Sequence, residues 1–280
     1  MADNLRILGV NAHPHDFTHY AGTLGIHAAR GDEVTVVSMT AGSNIHNETL
    51  GDELIKAPED RDPAIMNQTA ADYSELKETE LRTACGIFGI SDVRMLDFPE
   101  PFRLDSSPGA IDAMKEIILD VRPHIMITQS PFLLGRMHDI PDPTRDDHSE
   151  TAFASIEARN QASIAVHGMT VPPHKIAVTY YPGVYFQRNQ LDFIVDISDW
   201  FDKRVEAEAT YISQGHTPEW SHRRMDVTLG NLGFTSGVAH AEGFVREKAE
   251  LMTELPIPAS ALHEATATHE EMLKSRLGQK

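Results

Sequence analysis

One cysteine, Cys85, is all the 280-residue chain contains, so no disulfide can form within it. That fits a reducing compartment. Cys85 falls in a helical pattern beside Ile87 and Phe88 and reads as a small buried hydrophobe rather than a nucleophile. No apolar run approaches a membrane span, and the start MADNLRILGV has too short an apolar part for a secretory signal. The expected location is cytoplasmic. Basic residues are scarce: 24 Lys and Arg stand against 42 Asp and Glu, a formal charge of −18. Such a surface repels phosphates, which argues against nucleic acid or anionic membrane as a partner; a small-molecule substrate is expected, but the charge does not identify it. There is no G-x-G-x-x-G to cradle a dinucleotide and no G-x-S-x-G elbow for a serine hydrolase. Internal repeats and low-complexity tracts are lacking as well.

What is present alternates. Apolar runs at residues 5–10, 34–39, 93–96 and 125–128 read as strands too apolar to have a solvent face. Helical patterns at 22–30, 72–88, 111–121 and 148–167 separate or follow them. This predicts an α/β fold: a Rossmann-like, doubly wound, mainly parallel sheet flanked by helices. Two polar stretches, 43–69 and 130–147, read as long loops. Further strands are expected at 175–180 and 193–197, then a helix at 199–213 capped by Ser198. One domain over 1–255 is expected, with a charged helical tail over 256–280.

In such sheets a site lies beyond the carboxyl ends of the strands. The stretch 12–20, AHPHDFTHY, sits there and packs three histidines and one aspartate into nine residues. His13 and Asp16, three apart, can point to one centre if a helical turn follows the strand. A third metal ligand must come from elsewhere, and His148 in TRDDHSE is the best candidate. RDDH also reads as a helix start, with Asp147 as the N-cap. His19 reads as a bystander, and the other histidines, His216 among them, as surface or satisfied-core residues.

The sequence resembles the LmbE/PIG-L-like zinc-dependent deacetylases (N-acetylglucosaminyl deacetylase-like), as a divergent member. The first family motif, A-H-P-D-D-E, stands here as AHPHDF, followed by AGTL; R-x-x-E-L appears as KETEL, and H-P-D-H as RDDH. The K-x-x-A helix appears within DKRVEAEATYISQG and the late A-E-x-F as AEGF at 241–244. The resemblance spans about residues 5–250. It implies Zn2+, or another divalent transition metal, held by His13, Asp16 and His148. It also implies exchanged partners: His15 stands where the family has an aspartate base, and Arg145 where a histidine is often assigned as general acid. Phe17 replaces the motif's Glu and Lys77 the substrate-contacting Arg. A homo-oligomer is expected on the same ground.

A histidine can serve as base, since its ordinary pKa near 6.5 leaves it mostly neutral at pH 7. A further reading is that His15 is a fourth ligand, making the site tighter and less hydrolytic. Arg145 cannot give up a proton usefully but can contact an oxyanion or a substrate carboxylate. His240, in VAHAEGF, could supply the leaving group's proton, or lie at a helix start outside the site. The expected activity is metal-dependent hydrolysis of a C–N (amide, N-acyl) bond, with Arg145, Lys77 and His240 toward substrate. Two alternatives stay open: a metal- or carbohydrate-binding protein of the same fold without catalysis, and metal-assisted chemistry such as a lyase reaction.

Overall fold

The computed structural model describes residues 4–131 and 146–279. The chain opens β1 (Arg6–Asn11), α1 (Ala21–Ala29), β2 (Glu33–Ser38). Two short helices, α2 (Glu48–Ile55) and α3 (Pro63–Met66), lead into α4 (Ala70–Ile87) and β3 (Asp92–Met95). The third unit is α5 (Ala110–Val121), β4 (Ile125–Ile127), α6 (Asp147–Ala162) and β5 (Val178–Pro182). Then come β6 (Phe193–Asp196), α7 (Phe201–Ala209), α8 (Pro218–Phe234) and β7 (Ala241–Arg246). The tail carries α9 (Ala259–Glu264) and α10 (His269–Arg276).

Among the described residues the strands form one sheet in the order β3-β2-β1-β4-β5-β7-β6. The β1–β2, β1–β4, β2–β3 and β4–β5 pairs are parallel, and β7 runs antiparallel to both β5 and β6. The expected mainly parallel α/β sheet is therefore what forms. Strand alternation splits the core in two. Ile7, Val36, Val93 and Ile127 face one way and pack with Leu24, Leu81, Ala84 and Ala207 of α1, α4 and α7. Leu8, Val10, Val37 and Met126 face the other, against α5 and α6. On α6 the contact is a row of small residues, Ala154, Ala158 and Ala162, spaced one turn apart against Met114 and Ile118 of α5.

From β1 the chain proceeds to β2 on one side, and β4 lies on the other. The strand order thus switches between β1 and β4, which is where an open α/β sheet leaves a crevice. Gly9 keeps that end of β1 narrow: a Cβ there would stand 3.0 Å from the Tyr20 ring, whose hydroxyl donates to Asn11 Oδ1.

Several elements differ from the sequence expectation. The stretch 43–69 is not loop throughout, since α2 and α3 lie in it. Helix α6 stops at Ala162 rather than 167, and α7 runs Phe201–Ala209 rather than 199–213. β5 lies later than residues 175–180. Helix α8 and strand β7 were not expected at all. The tail docks by Ser275 Oγ on the Gly237 carbonyl and Arg276 Nε on that of Phe234.

Candidate metal centre

Beyond β1 the backbone enters a 3-10 turn, Pro14–His19. Proline at its first position supplies a preset φ and lacks the N–H that would otherwise go unpaired. Asp16 closes the turn: its Oδ2 accepts from the backbone N–H groups of Ala12 at 3.0 Å and His13 at 2.9 Å. That leaves Oδ1 facing outward, 3.4 Å from His148 Nε2. His13 Nδ1 lies 3.7 Å from Asp16 Oδ2, and the His13 and His148 rings meet edge to face at 5.1 Å. One ligand atom from each of His13, Asp16 and His148 falls within 4.8 Å of the others. Burial by itself would raise the Asp16 carboxyl, but the His148 and His13 imidazoles beside it outweigh that and hold it well below the ordinary carboxylate range.

The far nitrogen of His13 is committed. Its Nε2 lies 3.1 Å from Asp147 Oδ2, while Asp147 Oδ1 accepts from Arg103 at 2.7 Å. Metal-binding histidines characteristically give their second N–H to a carboxylate, which fixes tautomer and ring plane. Burial opposes the charge on Asp147, yet His13 and Arg103 bring its pKa down to about 2. The N-cap of α6 is Asp146, which accepts from Ser149 N at 2.8 Å. Asp147, read from sequence as that cap, instead turns into the site. Two nitrogens and one carboxylate oxygen, charge-compensated and with the histidine backed by a carboxylate, suit a divalent transition metal with open positions.

His15 belongs to a different face. Residues three apart eclipse in a 3-10 turn, so Asp16 shares a side with His19 and His15 with Thr18. Accordingly Thr18 Oγ1 stands 3.5 Å from His15 Nε2. That nitrogen faces Glu208 Oε1 at 3.1 Å, and the ring meets Tyr211 and His216 edge-on at 4.8 and 5.0 Å. His15, Glu208 and His216 form a second cluster next to the first. His19 meets the His15 ring edge-on at 6.4 Å, its Nδ1 lies 3.2 Å from the Tyr185 hydroxyl, and the Tyr185 ring packs 5.7 Å from His148, so His19 and Tyr185 join the two clusters.

The remaining residues singled out in the sequence lie elsewhere. Lys77 is 1% exposed, and its Nζ donates to the Ile45 carbonyl at 2.7 Å, holding the segment after β2 rather than opening to a substrate. Burial brings its pKa down to about 8, with Glu80 and Glu100 opposing. Phe17 is fully buried, edge-on to Tyr20 and Phe88. His240 does not reach either cluster. It stacks on Phe201 at 3.7 Å with Nε2 3.5 Å from Asp226. Arg145 lies outside the described residues. Sequence reasoning gave no role to Arg103, Tyr185, Glu208 or His216; Glu208 lies within the quoted stretch DKRVEAEATYISQG, and its nearness to His15 comes only from the fold.

The family description PIG-L: GlcNAc-PI de-N-acetylase matches residues 8–159, more than half of the chain. The chain belongs to the PIG-L family. A Saccharopolyspora erythraea member, 1D-myo-inositol 2-acetamido-2-deoxy-alpha-D-glucopyranoside deacetylase 1, is 23% identical over 244 residues, covering 72% of this chain and 75% of the relative. Other curated relatives of that description match over about half of their own length. Among solved structures, GalB, the 4-carboxy-2-hydroxymuconate hydratase of Pseudomonas putida KT2440, has a TM-score of 0.69 at 20% identity, covering 89% of this chain and 99% of GalB. The N,N'-diacetylchitobiose deacetylase of Pyrococcus horikoshii has a TM-score of 0.64 at 18% identity, over 87% and 84% of the two chains. At these identities the solved structures establish a shared fold. The PIG-L match runs from β1 into α6 and so takes in both halves of the His13–Asp16–His148 cluster.

Proposed function

We propose that this PIG-L member is a zinc-dependent hydrolase that removes an acyl group from a small N-acylated compound. The observation that carries the reading is the convergence of His13, Asp16 and His148 at the strand-order switch, with Asp147 behind His13. These three residues would hold a divalent metal, which when bound would lower the pKa of water and polarise an acyl carbonyl. His15 takes the proton that water loses as its oxygen joins the acyl carbon. The C–N bond then breaks, and His15 returns the proton it took to the departing amine.

The deacetylase relatives favour an N-acetylated amino sugar as substrate class. Departures at positions 17 and 77 do not weigh against it, because Phe17 is core and Lys77 is buried under a loop. The test is amine release from a panel of N-acyl amino sugars and simpler amides. Activity should vanish with a chelator and return with Zn2+. His15→Ala should keep the metal and lose turnover by ~10²–10⁴-fold, while His13→Ala loses both. Full turnover in His15→Ala, or activity indifferent to chelator, refutes the reading. The likeness in fold to GalB, a 4-carboxy-2-hydroxymuconate hydratase, supports one second reading: addition of water to substrate without cleavage of a C–N bond. Product analysis separates the two.

A further inference from the structure

The cluster His15–Glu208–His216 has the composition of a second metal site, but its charges serve another purpose. Glu208, fully buried, is its sole carboxylate. Its Oε1 already accepts from Arg224 at 2.6 Å and faces His15 Nε2 at 3.1 Å and His216 Nδ1 at 3.4 Å. Arg204 Nη1 stands 3.8 Å from Oε2. Guanidinium groups stay charged at any working pH. A dication at this carboxylate would have to sit against two of them.

We infer that Glu208 is a positioning residue for His15, fixing its proton on Nε2 and leaving Nδ1 as the accepting nitrogen. This rests on the reading of His15 as the base. An ionised carboxylate can only accept hydrogen bonds, so the ring atom facing it must be an N–H. Burial opposes ionisation of Glu208, but His15, Arg204 and Arg224 together hold its pKa down. Among the described residues Nδ1 of His15 makes no hydrogen bond. The Tyr211 and His216 rings confine the imidazole plane from the sides. When His15 accepts a proton on Nδ1, the imidazolium faces a carboxylate already in place, which stabilises the charge without reorganisation.

The test is a long-range 1H–15N correlation spectrum of the full chain with ring-labelled histidines, His15 being assigned by its loss in His15→Gln. The expected spectrum shows a protonated Nε2, an unprotonated Nδ1 and a strongly downfield Nε2 proton. Titration of Zn2+ should leave these nitrogens unmoved beyond one equivalent. A protonated Nδ1, a mixture of tautomers, or a second equivalent captured with shifts at both His15 and His216 overturns the positioning. The wild-type spectrum needs no variant at Glu208, so loss of folding in Glu208→Ala does not blunt the test. With a substrate in hand, Glu208→Gln should lower kcat with little change in KM, by less than the ~10²–10⁴-fold value of the whole base. It should add nothing in a His15→Ala background. Additive losses overturn the inference. Full turnover in His15→Ala overturns the base reading, whereas a wrong tautomer overturns the positioning alone.

Discussion

The sharpest consequence of the site geometry concerns Asp147, which touches His13 but lies outside the proposed ligand set. Its Oδ2 holds the far nitrogen of His13 at 3.1 Å between two side chains that are 5% and 6% exposed. A hydrogen bond to a charged group in such a setting contributes ~1.5–3 kcal/mol. That agrees with the ~10–100-fold loss of metal affinity expected when the outer partner of a ligating histidine is removed. Asp147→Ala should therefore weaken Zn2+ binding ~10–100-fold, and Asp147→Asn, which keeps an acceptor, by less. Competition against a chromophoric chelator measures the affinity. Two other losses must be separated from it. Asp147 also stands in the first turn of α6, where a negative charge stabilises the helix by ~0.3–1 kcal/mol, and it pairs with Arg103 at 2.7 Å. Urea unfolding of the metal-free variants measures those contributions. Arg103→Met, which spares the His13 contact, provides the comparison. If Asp147→Ala binds Zn2+ as the wild type does while His13→Ala does not, the carboxylate behind His13 has no part in holding the metal, and the reasoning fails.

Phe17→Ala should destabilise the chain by ~3–5 kcal/mol, and Phe17→Leu by less than ~1.5 kcal/mol; a small loss for Ala in urea unfolding would place position 17 outside the core. Lys77, with its pKa lowered from 10.5 to about 8, keeps a proton in the unfolded chain over that interval that the folded chain has released. Stability must then rise with pH, by up to ~3 kcal/mol relative to Lys77→Met between about pH 8 and about pH 10.5. A difference that falls with pH refutes the assignment. Burial drives the Cys85 thiol far above its ordinary range, so a thiol reagent should label the chain only once urea unfolds it.

The parallel half of the sheet was legible because its strands are buried on both faces and its helices carry one apolar stripe. What was missed lacks those periods. Helices α2 and α3 bury little; they are marked by caps, Asn47 accepting from Leu50 N and Asp62 from Ala64 N. Strand β7 contains Glu242, which reads as exposed. Its burial is made possible by Gly22 N, Thr23 and Arg204, residues brought from 38 to 220 positions away. Helices α6 and α7 end early where Ser163 caps the first and the Tyr211–Gly215 stretch, with Gly215 at φ 73, turns after the second. Local propensity extends a helix until a breaker appears, and serine is a weak one.

Within the site, a spacing of three put His13 and Asp16 together in the sequence, and His148 joined them through the fold. The same spacing places His19 on the face of Asp16 and Thr18 on that of His15, an extension that only the 3-10 character of Pro14–His19 makes compelling. An α-helical turn would have rotated each residue by less and left His15 nearer to Asp16 in direction. The role of position 15 was harder to read, because its meaning depends on Glu208, 193 residues away. Where the family resemblance implies an aspartate base, this chain has an imidazole with a carboxylate behind it. The negative charge beside this imidazole is that of Glu208, which His15, Arg204 and Arg224 hold ionised against the cost of burial. A lone histidine at position 15 would be a weaker exchange, free to turn and to choose either tautomer. Paired with Glu208 at 3.1 Å it is held in one orientation, so the role of position 15 has to be read together with that of Glu208.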